Sequence, residues 1–422
     1  MARRVETDVA IVGAGGGGAV LALMLAQQGI RSLVIEQAAG PPKGLRGEIL
    51  QPNGQRVLDR LGLLHRLPAR ATRIVHRFNF CRAGGERLCT VDYSDLPAPY
   101  NRAVVTLPNV AHHAILGALA EANPEGLWYD TQFTGLRFEV DRVVGLQANR
   151  QGEPIEVSAR LVVGADGAFS KVREGLKIGT ELHRYSEGYL IALMEAGGEF
   201  NEGRYLVGSK SILGLFPAAE NQAYVFYMIP AGSYDAVKER GLEALRETWT
   251  RIDPTMAGTF QGLRDWSQTG YMPTGRVKTE RWVADGAILI GDAAHAMNPH
   301  ASQGRMQAMV DALVAAEMIP GWLKSGDCSA RALSAFETAR RPHVTMLQKL
   351  ADEQVFFWNT GNPILAFLRD RSFKTLDRNA RLRYRVLCTT AGLRSRPPFS
   401  LLDRMMVAGF LPDPRASMRF AD

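Results

Sequence analysis

Cysteine is scarce in this sequence of 422 residues. The four cysteines, Cys81, Cys89, Cys328 and Cys388, show no C-x-x-C spacing and no histidine at a metal-ligand distance along the chain. The sequence therefore indicates neither a disulfide framework nor a zinc site. We expect free thiols in a reducing compartment.

Long hydrophobic runs are also missing. No uncharged segment approaches the roughly 18 apolar residues that a membrane-spanning helix requires. The N-terminal residues MARRVETD include two arginines but lack the apolar core and cleavage site of a signal peptide. We therefore predict a cytoplasmic protein.

The balance of residue types is that of an ordinary globular protein. Hydrophobic residues make up 46% and charged residues 22% of a chain long enough for two or three domains. The net charge of +7 favours anionic ligands or surfaces. Basic modules with interleaved aromatic residues are not found in the sequence, so a nucleic-acid partner is not expected.

A glycine-rich stretch near the N-terminus is the most informative part of the chain. Residues 8–12 are apolar except for Asp8, a nearly all-glycine segment follows, and residues 19–28 are rich in alanine and leucine. This order predicts a strand, a tight turn and a helix. Gly13, Gly15 and Gly18 fill the G-x-G-x-x-G positions, which permit a sharp turn, close approach to a pyrophosphate, and tight helix packing. The N-terminus of the helix then offers unpaired N–H groups to a phosphate.

Glu36 follows the next predicted strand, residues 32–35, and stands eighteen positions after Gly18. A carboxylate there can accept hydrogen bonds from both hydroxyls of an adenosine ribose, and its charge disfavours a 2′-phosphate. A glycine motif alone is often an ordinary flexible turn. Together with the strand, the helix and the acid, it predicts a dinucleotide site.

Arg46 lies in the Pro/Gly loop that comes next. A guanidinium at this position can fold back over the pyrophosphate or the ribityl chain of the dinucleotide, or it can be a solvated loop side chain. The residues themselves leave both alternatives open.

A second motif follows another predicted buried strand, residues 161–163. Asp166 and Gly167 form a tight turn there, which leads into a helix that carries Ser170 and Arg173. The Asp166 carboxylate either binds a ligand or only caps that helix.

A third motif follows the predicted buried strand at residues 287–290. Gly291 and Asp292 come at its end, followed by a loop that Pro299 closes. Ligands of open α/β sheets collect beyond the carboxyl ends of strands, so Asp292 is predicted at the far end of an extended dinucleotide. A helix is predicted to start near Gln303, and its N-terminus suits a partly anionic ring edge.

The segments between the motifs predict a second domain. Residues 181–270 combine strand-like pieces with one helix at about 234–251, which indicates an antiparallel sheet with a covering helix. Residues 76–104 alternate like strands around a hairpin signal at Gly84 and Gly85. We assign 1–75, 105–180 and 271–350 to a discontinuous nucleotide-binding domain, 76–104 and 181–270 to a substrate domain, and 351–422 to a helical C-terminal region.

Together the three motifs resemble those of flavoprotein monooxygenases of the aromatic hydroxylase and ubiquinone-biosynthesis hydroxylase type, the group A flavoprotein monooxygenases. GAGGGG, GADGAFSKVR and GDAAHAMNPHASQG occur in the order and at about the spacing of that family. The resemblance covers roughly residues 8–346. It implies an α/β fold with a Rossmann-like FAD-binding domain of the GR2 type, an antiparallel-sheet substrate domain and a helical C-terminal tail.

The resemblance also implies a set of FAD contacts along the three motifs. These are Gly13, Gly15, Gly18 and Glu36 for the ADP part, Arg46 in the loop, His112 on a helix, Asp166 and Gly167, Gly291 and Asp292 for the ribityl chain, and Pro299, Gln303 and Gly304 beside the isoalloxazine. Asp166 and Gly167 would also serve a transiently bound NAD(P)H, which has no Rossmann site of its own.

Two positions depart from the family pattern. The family usually has Arg or Gln at the start of the helix AHHAILGAL, where His112 and His113 stand in this chain. Its G-Q-G-x-N ending is replaced by SQGRM at residues 302–306. These differences affect the expected geometry around the flavin, but FAD binding is still expected.

The activity that the resemblance implies is that of an FAD-dependent monooxygenase. NAD(P)H would reduce the flavin, O₂ would form a C4a-hydroperoxide, and an aromatic, quinonoid or polyene small molecule would be hydroxylated or epoxidised. The protein would exclude water, position the substrate and supply a proton, and no metal is needed. Two alternatives stay open: a flavin-dependent reductase of a polyprenyl or other unsaturated substrate, and a flavin-binding protein without monooxygenase turnover.

His295 and His300 are the candidates for a catalytic proton relay. They lie in the loop predicted beside the flavin, and histidine titrates near neutral pH. The alternative is that their hydrogen bonds orient this loop. Tyr224 and Tyr227, on a predicted strand, either line the substrate face or belong to the core.

The C-terminal residues 351–422 mix aromatic and aliphatic side chains with many arginines. Basic amphipathic helices are able to lie on a membrane. The alternatives for this tail are that it packs on the flavin domain or on a second copy of the chain. Peripheral membrane contact and a homodimer through this tail are therefore both hypotheses.

Overall fold

The computed structural model describes residues 2–45 and 48–418. Within them the chain forms three β-sheets and thirteen α-helices. The strands are β1 (Arg3–Val12), β2 (Ser32–Ile35), β3 (Glu48–Leu50), β4 (Thr72–Val75), β5 (Arg77–Arg82), β6 (Arg87–Asp92), β7 (Ala103–Thr106), β8 (Leu127–Trp128), β9 (Thr131–Glu139), β10 (Arg142–Arg150), β11 (Glu153–Gly164), β12 (Thr180–Glu195), β13 (Gly203–Gly208), β14 (Ser211–Ala218), β15 (Gln222–Pro230), β16 (Thr269–Thr279), β17 (Val283–Ala284) and β18 (Ala287–Leu289). The helices are α1 (Gly18–Gln27), α2 (Pro52–Arg60), α3 (Val110–Ala122), α4 (Lys171–Gly175), α5 (Tyr234–Glu239), α6 (Gly241–Ile252), α7 (Ala257–Phe260), α8 (Asp292–His295), α9 (Gly304–Ser325), α10 (Ala330–Trp358), α11 (Pro363–Arg378), α12 (Ala380–Thr390) and α13 (Leu401–Val407).

The first sheet is organised around the adjacent parallel strands β2, β1, β11 and β18. Their ends are in register, because Val12 pairs with both Ile35 and Gly164, and Gly164 pairs with Leu289. Parallel strands in the middle of a sheet are covered on both faces, so the last four residues of β1 and all of β2 are buried. The loops that follow these strands therefore meet at one edge of the sheet.

The second sheet has, within the described residues, seven strands in the order β16, β12, β15, β14, β13, β5 and β6. It is antiparallel except where β13 runs parallel to β5. Helix α6 covers one face and buries Trp249 against it. The predicted antiparallel sheet with a covering helix is confirmed, but the helix is divided into α5 and α6 at Gly241, which has a φ of +88°.

The predicted domain boundary at residue 271 is too early. Residues 271–279 belong to β16, which pairs antiparallel with β12 in the second sheet. Few residues of β16 are buried, so this edge strand has no clear hydrophobic alternation that would reveal it in the sequence. A small third sheet, with β7 between β3 and β4, contacts β14 and joins the two layers.

The C-terminal helices pack on the rest of the chain. The ring centroids of Phe373 in α11 and Trp358 in α10 lie 4.9 and 5.1 Å from that of Phe80 in β5. At the end of α12, the carbonyl of Thr390 accepts a hydrogen bond from Gln303 Nε2 at 2.7 Å. Among residues 2–45 and 48–418, no helix combines the length and the hydropathy that a membrane crossing requires.

The four cysteines are free thiols, as predicted. Cys81, Cys89 and Cys328 are buried, and Cys388 is half-buried. Burial raises the pKa of the Cys89 thiol to about 12, so this group stays protonated and packs as a small apolar side chain.

Candidate active site

The turn between β1 and α1 requires its glycines. Gly13 has a φ of +100°, and a Cβ at this position would lie 2.5 Å from the carbonyl oxygen of Ala165. A Cβ on Gly18 would lie 1.9 Å from the carbonyl oxygen of Gly13. By contrast, a Cβ on Gly15 would meet no atom of the described residues within 4 Å. The space in front of the turn is thus open, as a bound pyrophosphate requires.

Glu36 stands at the end of β2, and its carboxylate is held by the backbone. Oε2 accepts a hydrogen bond from the N–H of Ala14, and Oε1 accepts one from the N–H of Ala38, both at 2.9 Å. Each carboxylate oxygen has a second lone pair, so these bonds orient Glu36 beside the turn and still leave acceptors for a ribose. Burial and the charge of Glu36 together raise the pKa of the nearby Tyr129.

The second and third motifs lie along the same edge. The N–H of Ala165 donates to the last carbonyl of β1 at 2.8 Å, and the N–H of Ile290 donates to the last carbonyl of β11 at 2.9 Å. Asp166 and Asp292 therefore follow neighbouring strand ends, where Asp166 is half-buried and Asp292 is exposed. The structure brings the three motifs together in the order predicted from the sequence.

Asp166 caps α4. Its carboxylate accepts hydrogen bonds from the N–H groups of Lys171 at 2.7 Å and Val172 at 3.1 Å, and from the hydroxyl of Ser170 at 2.6 Å. Of the two roles considered for Asp166, helix capping is therefore observed in the structure. A Cβ on Gly167 would meet no atom of residues 2–45 and 48–418 within 4 Å, so the space next to Asp166 is open to a ligand.

Arg173 links the second and third motifs, a role that the sequence analysis missed. Its buried guanidinium donates to the carbonyl oxygens of Ala293 at 2.7 Å and Ala168 at 2.8 Å. These bonds fix the distance between the two loops. A basic residue on the helix after Asp166 was visible in the sequence, but its partner Ala293 lies 120 positions away.

His295 belongs to a buried ion-pair network. Its Nε2 lies 2.5 Å from Oδ2 of Asp311, while Nε of Arg340 donates to Oδ1 of Asp311 at 2.7 Å. Oδ2 of Asp311 also accepts a hydrogen bond from the N–H of Gly291 at 2.9 Å. Burial acts to raise the pKa of Asp311, but His295 and Arg340 outweigh it and hold that pKa below its usual value. This arrangement supports the alternative in which His295 orients the loop.

Gln303 connects this network to the C-terminal region. Its Oε1 accepts hydrogen bonds from Asn53 at 2.9 Å and from Gln307 at 2.8 Å, and its Nε2 donates to Thr390. Arg340 donates to Gln307 at 2.6 Å. The start of α9 is therefore held by residues of α2, α10 and α12.

His300 is in contact with the second sheet. Its Nε2 lies 2.6 Å from the hydroxyl of Tyr189 in β12, and its ring centroid lies 5.4 Å from that of Trp358. Burial lowers the pKa of His300 to about 3, so the imidazole is neutral and Nε2 can accept the hydroxyl proton of Tyr189. The ring of Tyr189 stacks on Phe226, with centroids 3.9 Å apart. The loop at Pro299–Ala301 is thus held between the sheet and α10.

Aromatic side chains surround this loop, and all of them are half-buried except the fully buried Tyr189. Ser302, which has a φ of +51°, hydrogen-bonds with the side chain of Tyr205. Tyr205 stacks on Phe80 at 5.2 Å with an interplanar angle of 13°. We call Phe80, Tyr189, Tyr205, Phe226 and Trp358 the aromatic wall. This group has no local signal in the sequence, because its members come from β5, β12, β13, β15 and α10.

Tyr224 and Tyr227 lie on opposite faces of β15. Tyr224 is buried with Phe216 on the face toward the C-terminal helices. Tyr227 contacts Trp249 of α6, with ring centroids 6.0 Å apart. Side chains three positions apart on a strand point to opposite faces, so Tyr227 follows the second alternative given for it and packs in the core under α6.

Arg46 lies outside the described residues, so its two alternatives stay open. The loop that leads to it reaches the second sheet, because a Cβ on Gly270 would lie 3.7 Å from the Cβ of Leu45. This loop therefore spans the two layers.

Helix α3 supports the same loop. Nε2 of His113 lies 3.0 Å from the carbonyl oxygen of Pro42, and Asn109, at the N-cap of α3, donates to the carbonyl of Gly44 at 2.8 Å. His112 is buried on this helix. Its contact with the cofactor stays a prediction.

The fold and the site define a class of protein. An open glycine turn, an oriented carboxylate after β2, and two further motifs along one edge fit a single extended FAD. A second sheet covers the third motif. This is the arrangement of an FAD-dependent oxidoreductase in which a second sheet lies over the cofactor-binding edge of the first.

Comparison with known proteins shows the family. The profile described as FAD binding domain matches residues 6–351, and the chain belongs to this family. It is 30% identical over 342 residues to the 6-methylpretetramide 4-monooxygenase of Streptomyces rimosus, covering 80% of this chain and 81% of that protein. It is 28% identical over 349 residues to the digeranylgeranylglycerophospholipid reductase of Methanocella arvoryzae, covering 80% and 83%. The crystal structure of p-nitrophenol 4-monooxygenase PnpA from Pseudomonas putida has a similar fold, with a TM-score of 0.80, 20% identity, and coverage of 93% of this chain and 100% of that one.

The chain is therefore an FAD-dependent monooxygenase by family, and FAD is its cofactor. The family and the fold class implied by the three motifs are confirmed. The individual residues that hold FAD remain predictions.

Proposed function

We propose that this enzyme hydroxylates an electron-rich aromatic or quinonoid small molecule with NAD(P)H as reductant. In the balanced reaction, a substrate C–H, O₂, NAD(P)H and H⁺ give a substrate C–OH, H₂O and NAD(P)⁺. The nicotinamide supplies two electrons, one oxygen atom leaves as water, and the other enters the substrate. Bound FAD supplies hydride acceptance and O₂ activation.

The observation that carries this substrate class is the aromatic wall. Phe80, Tyr205, Phe226 and Trp358 are half-buried around the loop predicted beside the flavin. A planar substrate that stacks on such rings gains roughly 0.5–1.5 kcal/mol per aromatic pair beyond burial of its apolar surface. The relative from Streptomyces rimosus is likewise named as a monooxygenase of 6-methylpretetramide.

His300 and Tyr189 are the polar pair within this wall. Since burial keeps His300 neutral, it holds the Tyr189 hydroxyl by accepting its proton at Nε2. We assign His300 a positioning role, because its hydrogen bond fixes the buried Tyr189, and the ring of Tyr189 stacks on Phe226 of the wall. The second sheet and α10 cover this region and exclude water, which strengthens such polar contacts.

Purified protein tests the proposal. We expect yellow protein, or colourless protein that takes up FAD, and NADPH or NADH oxidation that is stimulated by a phenolic or polycyclic aromatic substrate. Under isotopically labelled O₂, the product should gain one labelled oxygen atom. A converted substrate without labelled oxygen would contradict the proposal.

The reductase alternative rests on the similarity to the Methanocella arvoryzae protein. A reductase would add two hydrogens across a carbon–carbon double bond and would not need O₂. Anaerobic incubation of the reduced enzyme with a polyprenyl substrate separates the two: a saturated product favours the reductase, and strict dependence on O₂ favours the monooxygenase. A protein that binds FAD but converts neither substrate class would favour the third alternative.

We also propose that the C-terminal helices contact an anionic membrane surface. Phe356, Ile364, Phe367 and Phe410 are exposed there, and the guanidinium of Arg371 lies 5.7 Å from the ring centroid of Phe410. Exposed apolar side chains beside cations are typical of helices that lie on anionic lipid. Cosedimentation with phosphatidylglycerol vesicles, but not with phosphatidylcholine vesicles, is expected. A stable dimer by light scattering without vesicle binding would instead assign this surface to a second copy.

A further inference from the structure

Arg305 is a residue of the third motif that the predicted FAD contacts leave unexplained. It is the second residue of α9 and occupies the x position of the family's G-Q-G-x-N pattern, where any residue is allowed. The departure from that pattern at the neighbouring Met306 is explained by packing, because it is buried and a Cβ on Gly54 in α2 would lie only 2.0 Å from its Sδ. Arg305 contacts a different element.

The side chain of Arg305 lies against the glycine turn. A Cβ on Gly16 would be 3.1 Å from Cγ and 3.5 Å from Nε of Arg305. One helical turn further along α9, the carbonyl oxygen of Ala308 would be 3.2 Å from a Cβ on Gly17. Ala308 thus contacts Gly17, and Arg305, one turn earlier in α9, contacts Gly16. The next residue of the glycine turn in this direction is Gly15, where the space is open.

We infer that Arg305 binds the pyrophosphate of FAD. The Nε of its guanidinium lies against Gly16, in the turn that leads into the positive N-terminus of α1. A pyrophosphate is the anionic part of the cofactor that this family binds at that turn. The planar guanidinium donates two parallel hydrogen bonds to a phosphate, which a lysine cannot do. Gly16 makes the contact possible, since it has no side chain under the stem of Arg305.

FAD titration into the flavin-stripped, full-length chain tests this inference. We expect Arg305→Met to raise the Kd for FAD by about 10- to 100-fold, because a charged hydrogen-bonded contact is lost. Arg305→Lys should raise the Kd less, since the charge stays but the two-pronged geometry does not. Lys324→Met removes an exposed cation from the other end of α9 and should leave the Kd unchanged.

Competition with fragments of the cofactor locates the contact. Arg305→Met should weaken the binding of ADP, which contains the pyrophosphate, and leave the binding of adenosine unchanged. The salt dependence of FAD binding should also decrease in this variant. A Kd for FAD within about two-fold of wild type, or equal losses for ADP and adenosine, would overturn the inference. The thermal midpoint of the stripped chain checks folding, and Arg305→Lys decides the question if Arg305→Met does not fold.

Discussion

Two histidines of one loop have different surroundings. His295 is hydrogen-bonded to a buried aspartate, whereas His300 is packed among aromatic rings and is neutral. They are five positions apart in the sequence, and the sequence predicted the same role, a catalytic proton relay, for both. Their partners come from β12, α9 and α10, so no local pattern distinguishes the two residues.

His300 should give stability a specific pH dependence. It stays neutral in the folded protein down to a pKa of about 3, whereas it protonates near its ordinary value of 6.5 when unfolded. The unfolded state therefore binds more protons between these values, and stability falls as the pH drops below about 6.5. From pH 7 to pH 5, wild type should lose about 2 kcal/mol more unfolding free energy than His300→Gln.

Urea unfolding at both pH values measures this difference. His65→Gln is the matched control, because His65 is exposed and its replacement should leave the pH dependence of wild type unchanged. Equal pH dependence in wild type and His300→Gln would show that His300 is not buried as a neutral group.

At the scale of elements, the glycines of the turn before α1 have two different roles: some are required for folding, and others leave space for the cofactor. A Cβ on Gly15 would meet no atom within 4 Å in the described part of the chain, whereas one on Gly18 would lie 1.9 Å from a backbone oxygen. Gly15→Ala should therefore leave the stability of the flavin-free protein unchanged but raise the Kd for FAD by at least about 10-fold, because the methyl group occupies the pyrophosphate space.

Two further substitutions serve as comparisons for Gly15→Ala. Gly18→Ala should lower both FAD affinity and the thermal midpoint, since α1 must move away from β1. Gly117→Ala in α3, where a Cβ also meets no described atom within 4 Å, should stabilise the protein by about 0.5–1 kcal/mol without changing FAD binding. Unchanged FAD affinity in Gly15→Ala would place the pyrophosphate elsewhere.

Element prediction succeeded where the signals are local. The strand, turn and helix from β1 to α1 follow from adjacent apolar residues and glycines, and the structure has them at these positions. The edge strand β16 and the break between α5 and α6 were not predicted. β16 has few buried residues, and the break depends on one positive φ at Gly241.

At the scale of the whole molecule, a buried charge cluster holds the C-terminal tail in place. Arg381 is 1% exposed and donates to Asp403 at 2.8 Å, with Asp413 at 2.7 Å. Arg381→Met would remove the guanidinium that pairs with the buried Asp413 carboxylate and would leave Asp403 with Arg385, which should cost about 3 kcal/mol in unfolding free energy. Because Arg381 and Thr390 are both in α12, the contact with Gln303 should weaken as well.

Denaturant unfolding and limited proteolysis of the tail measure these effects. Arg378→Met removes an exposed cation from the neighbouring helix α11 and should change stability by less than about 0.5 kcal/mol. Wild-type stability in Arg381→Met would mean that the cluster does not fasten the tail.

The sequence by itself determined the cofactor class and the order of the three motifs along the chain. Sharp turns, buried strands and strand-end carboxylates are set by neighbouring residues, so a linear pattern reveals them. Only the tertiary structure decided that His300 contacts the second sheet and that Arg173 joins two motifs. It also decided that Arg305 lies against Gly16 and that Gln303 contacts the C-terminal helix α12. Each of these contacts joins residues far apart in the chain, and packing alone determines which of them meet.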